Sequence, residues 1–61
     1  MGNAAEFRAL QRERYHDLLV LKKLNPSGVT RLEEQISRVR TSMSKEDIVA
    51  VEEEIALLFS E

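Results

Sequence analysis

VTRLEEQISRVRTSMSKEDIVAVEEEIALLF, residues 29–59, is the stretch whose reading decides the fold. Val29, Leu32, Ile36, Val39 and Met43 recur at alternating steps of three and four, which sets them along one side of a helix as a coiled-coil-like seam. Carried past Met43, that register would bring Glu46 and Ala50 into the seam. The apolar set instead restarts at Ile48, Val51, Ile55 and Leu58, five residues after Met43. Such a shift requires a break or a strong kink. Ser44-Lys45-Glu46-Asp47 supplies a capping serine followed by carboxylates in the next turn. The pattern predicts helices over about 26–43 and 45–59; one kinked helix in their place, giving a two-helix hairpin, is the alternative.

Upstream, Asn25-Pro26-Ser27-Gly28 interrupts any helix, because proline disfavours helix at the residue before it. The next helix starts near Pro26, or at Thr30, where Thr30-Arg31-Leu32-Glu33 has the form of a capping box. Before this joint a helix is predicted over about 3–24. Asn3 can cap it, Glu6 lies near its positive end, and Lys22 and Lys23 lie near its negative end. Period-two alternation and internal repeats are both missing, and glycine occurs only at positions 2 and 28. The expected fold class is all-α, a short helical bundle of three helices in one domain spanning 1–61.

Size argues for self-association. A chain of 61 residues hides only about 60% of its unfolded surface when it folds alone. The sequence holds no cysteine, so neither a disulfide nor a thiolate metal site can staple it, and His16 is its single imidazole. The bundle is therefore expected to be completed by homodimerisation.

Composition suits a folded domain rather than a disordered tail, with apolar residues spread along a chain of net charge -2. No apolar run approaches the roughly 20 residues that span a bilayer. Met1-Gly2-Asn3-Ala4-Ala5-Glu6 lacks the pattern of a signal peptide, and Glu6 stands where a myristoylation motif wants Ser or Thr. A cytoplasmic protein with no membrane contact is the expectation.

Winding the first helix at about 100° per residue puts Phe7, Leu10, Leu18 and Leu21 on one face, with Arg14 in their midst. Arg14 either lies at the rim, its stem covering apolar surface, or pairs across an interface, with Glu52 as the candidate mate. The expected core comprises Phe7, Leu10, Leu18, Leu21, Leu32, Ile36, Val39, Ile48, Val51, Ile55, Leu58 and Phe59. Leu18-Leu19-Val20-Leu21 and Ile55-Ala56-Leu57-Leu58-Phe59 are apolar nearly all the way round. Each can serve the core with one face and a partner with another. Arg14, Tyr15, Leu19, Val20 and Leu57 are accordingly the candidate interface residues.

Charge is segregated along the chain: +2 over residues 1–24, +1 over 25–43 and -5 over 44–61. An acidic third helix can complement a basic first one, or can simply be a solvated face.

Catalytic and metal chemistry find no foothold. His16 and Asp17 are adjacent and point about 100° apart on a helix. His16 falls opposite the apolar face and is expected to be solvated. Glu52-Glu53-Glu54 splays around the helix and lacks the Glu-x-x-His pattern of carboxylate-bridged metal bundles. The Ser and Thr residues have no base placed to activate them, and there is no Gly-rich phosphate loop. No enzyme, cofactor or metal is expected.

The expected function is a non-enzymatic protein–protein interaction module: a small homodimeric regulator or inhibitor of a larger protein. The alternative is a dimeric RNA-binding protein that uses the basic face of the first helix, through Arg8, Arg12, Lys22 and Lys23. A helix-turn-helix reading is rejected, because its recognition helix would carry Glu52, Glu53 and Glu54 toward phosphates.

Overall fold

A computed structural model describes residues 3–25 and 30–60. Three helices make up the described chain, α1 (Asn3–Leu24), α2 (Thr30–Thr41) and α3 (Lys45–Leu58), with no strand among the described residues. Residues 30–58 are thus divided between two separate helices, and the kinked-helix alternative falls away. The start of α2 near Pro26, the turn at Gly28 and the seam position of Val29 lie outside the described residues.

Each described joint has a local cause. At the end of α1 the Asn25 backbone N–H donates to the Leu21 carbonyl at 2.9 Å and its side-chain amide donates to the same oxygen at 3.1 Å. Between α2 and α3, the backbone tightens: Ser42 N–H bonds back to the Val39 carbonyl and Met43 N–H to that of Arg40, both at 3.0 Å. These bonds three residues back satisfy carbonyls that the end of a helix leaves orphaned. The helix stops at Thr41, two residues before the expected 43. Ser44 is extended, with φ -74° and ψ 156°, and its hydroxyl accepts from the Asp47 N–H at 3.2 Å. The expected capping serine is in place.

α1 packs against both other helices, whereas α2 and α3 meet only weakly. Lys22 lies near Glu33 at one end of α1 and Gln11 reaches Ser42 towards the other, so α1 and α2 run antiparallel. Arg8 meets Asp47 and Leu19 adjoins Ile55, so α3 runs parallel to α1. The result is a flat, open bundle of 41 × 27 × 15 Å.

The core gathers where the three helices meet. Tyr15, Ile36, Val51 and Ile55 are buried, and Leu18, Leu19, Val20, Leu32, Val39, Met43 and Ile48 pack around them half-buried. Leu32, Ile36, Val39 and Met43 of the seam, and the first three members of the α3 set, face inward as expected. The first helix does not. Phe7, Leu10 and Leu21, expected in the core, are exposed; only Leu18 of that face is drawn in. α1 is turned about a quarter-turn from the apolar face read off its sequence, so that Gln11 and Tyr15 point inward. Leu58 and Phe59, also expected in the core, are exposed as well; they close α3 beyond Ile55, its last buried residue, with Phe59 as the C-cap.

Candidate interaction surface

Three polar contacts set the rotation of α1, each made to a residue more than 30 positions away. Arg8 grips Asp47 with two parallel bonds, Nε to Oδ2 at 3.2 Å and Nη2 to Oδ1 at 3.1 Å. This fork geometry is what a guanidinium offers a carboxylate. Gln11 donates through Nε2 to Ser42 Oγ, and Ser42 Oγ in turn donates to the Val39 carbonyl at 2.8 Å. Tyr15, only 1% exposed, donates its hydroxyl proton to Glu52 Oε2 at 2.6 Å. Arg40 approaches the same carboxylate oxygen at 3.9 Å, so Glu52 ties together side chains from all three helices. Every buried side-chain polar atom among the described residues has a partner, as a buried polar group must to avoid its desolvation cost.

The electrostatics follow from these contacts. The Arg8 hydrogen bond, opposed by burial and helped by the positive charges of Arg8 and Arg12, holds the Asp47 carboxyl below its ordinary range. Asp47 raises the Arg8 guanidinium in return, chiefly through the same hydrogen bond. Burial, reinforced by the hydrogen bond to Glu52, pushes the Tyr15 phenol up to about 12.

The residues that sequence marked as interface candidates separate into two groups. Tyr15 is the most buried side chain among the described residues and belongs to the core. Leu19 and Val20 are half-buried against that core. Arg14 and Leu57 are exposed, Leu57 at 77%. Arg14 does not meet Glu52, which is taken by Tyr15 and Arg40; it lies at a rim beside Leu18, Gln35, Arg38 and Val39.

The basic face is partly consumed within the chain. Arg8 is paired with Asp47, and Lys22 stands 3.8 Å from Glu33. Arg12 borders a groove between α1 and α3 together with Glu13, His16 and Glu54. His16 is half-buried there instead of standing free in solvent, because the rotation of α1 turns it toward Ala50 and Val51. Lys23 flanks a recess formed by Leu19, Lys22 and Ile55.

Gln11, on which the sequence offered no reading, and Asp47 of the acidic third helix are both buried. Asp47 carried a signal, as the third residue after a capping serine; Gln11 carried none. The rotation leaves Phe7, Leu10, Leu21 and Leu24 outside, each between 45% and 64% exposed. Among the described residues no three His, Asp or Glu side chains cluster as a metal site would require, and no helix is long and apolar enough to cross a membrane.

Compared with models of protein families, with curated proteins and with solved structures, the chain matches none.

Proposed function

We propose that the protein is a non-enzymatic protein–protein interaction module that works as a homodimer, a small regulator or inhibitor of a larger protein. The observation that carries this reading is the apolar surface left uncovered on α1: Phe7, Leu10, Leu21 and Leu24 are each 45% to 64% exposed, and their spacing sets them on one side of that helix.

RNA binding through Arg8, Arg12, Lys22 and Lys23 has less support. Two of those four cations already face carboxylates of their own chain, and the total charge is negative. Light scattering at two salt concentrations, with and without bulk RNA, tests the reading. A dimer whose mass ignores RNA is the expected result. A monomer at every concentration, or a salt-sensitive gain in mass with RNA, would overturn it.

A further inference from the structure

The exposed side of α1 carries an ordered pattern that the core does not use. Phe7, Leu10, Arg14, Asp17, Leu21 and Leu24 follow one another at steps of three, four, three, four and three, and all six are exposed. Steps of this kind keep side chains on one stripe of a helix, the seam of a coiled coil. At 1.5 Å per residue the stripe is roughly 26 Å long. It also reads the same from both ends. About the midpoint between Tyr15 and His16, Phe7 mirrors Leu24, Leu10 mirrors Leu21, and Arg14 mirrors Asp17.

We propose that this stripe is the dimer seam, in which α1 lies antiparallel to α1 of a second copy about a twofold axis at that midpoint. The assignment rests on the homodimer reading above and adds the surface, the direction and the register. In this arrangement Phe7 packs on Leu24 of the partner subunit and Leu10 on the partner subunit's Leu21. Arg14 meets the partner's Asp17, and the twofold makes that ion pair twice. A parallel pairing in register would set Arg14 against the partner's Arg14 and Asp17 against the partner's Asp17, so charge selects the antiparallel form.

Two observations strengthen the case for a second copy as the occupant. Among the described residues neither Arg14 nor Asp17 has an ion-pair partner within its own chain, although Arg8, Lys22 and Arg40 do. Arg14 also borders a recess with Arg38, a second positive charge, and two cations at one rim suit a carboxylate arriving from outside. A polar pair within an apolar seam fixes register and orientation at some cost in stability.

Charge variants test the seam directly. Arg14→Asp leaves only carboxylates at the centre and Asp17→Arg leaves only guanidinium groups, so each variant alone is expected to lose about a hundredfold or more in self-affinity. Mixed in equal amounts, the two should form a heterodimer, and the double variant Arg14→Asp/Asp17→Arg should recover self-association. Circular dichroism on each variant checks that the helices persist. Direction is read by cross-linking, since the chain has no native cysteine. Leu10→Cys mixed with Leu21→Cys is expected to form an intermolecular disulfide, whereas neither does so alone. A wild-type dimer that ignores the charge variants, or that cross-links through Leu10→Cys alone, overturns the seam and leaves the homodimer reading standing. A wild-type monomer overturns both.

Discussion

The Tyr15 hydroxyl donates a 2.6 Å hydrogen bond to Glu52, so the most buried side chain of α1 is anchored to an exposed carboxylate of α3. The ring fills the meeting point of three helices while its polar tip reaches the edge of the core, the division of labour a tyrosine permits. Removing the tip and removing the ring therefore have separable consequences. Tyr15→Phe keeps the packing and leaves Glu52 to water, at a cost of about 1 kcal/mol. Tyr15→Ala opens a cavity worth about 4 kcal/mol, comparable to the whole stability a domain this small can hold. Urea unfolding followed by circular dichroism should show a shifted midpoint for the first variant and an unfolded chain for the second.

The same tyrosine reports its own environment. It is the single tyrosine of a chain without tryptophan, so tyrosinate absorbance titrates one group. Burial and Glu52 raise its pKa from the ordinary 10.0 to about 12. A raised pKa on a group that ionises to an anion stabilises the fold below the unfolded value. That contribution should be lost as pH rises from 10.0 toward about 12. Glu52→Gln should bring the midpoint part of the way back down, and an ordinary midpoint in the wild type would contradict the buried phenol.

Asp47 predicts pH dependence at the other end of the scale. Its carboxyl is held low by Arg8, so the ion pair stabilises the fold above the ordinary carboxylate value and the benefit fades as pH falls through the folded value. Asp47→Asn should lower stability at neutral pH and flatten the acid limb of the stability profile. A double-mutant cycle with Arg8→Ala should return a positive coupling, and additivity of the two changes would show that the pair contributes nothing.

Val20 and Leu57 separate core from surface at the far end of the bundle. Val20 packs half-buried against the core, and Leu57 is exposed. Val20→Glu places a charge where apolar contacts were, with an expected loss of about 2 kcal/mol. Leu57→Glu should change stability by less than about 0.5 kcal/mol. Thermal melts of the two variants under one buffer condition decide the matter, and equal losses would refute the assigned exposures.

What the sequence determined by itself was local. The three-four steps of Leu32, Ile36, Val39 and Met43, the five-residue offset to Ile48, and Ser44 before two carboxylates are nearest-neighbour facts. They divide residues 30–60 into two helices and choose the inner face of each. The rotation of α1 was beyond such reading. That helix carries one stripe through Phe7, Leu10, Leu18 and Leu21 and another through Gln11, Tyr15, Leu18 and Leu19, which share Leu18 and lie about a quarter-turn apart. Hydropathy alone favours the first stripe. The tertiary structure chose the second, because Arg8, Gln11 and Tyr15 find partners 39, 31 and 37 residues away. Buried polar groups must be paired, and whether such distant partners converge depends on how the helices cross, which periodicity along a single helix does not encode.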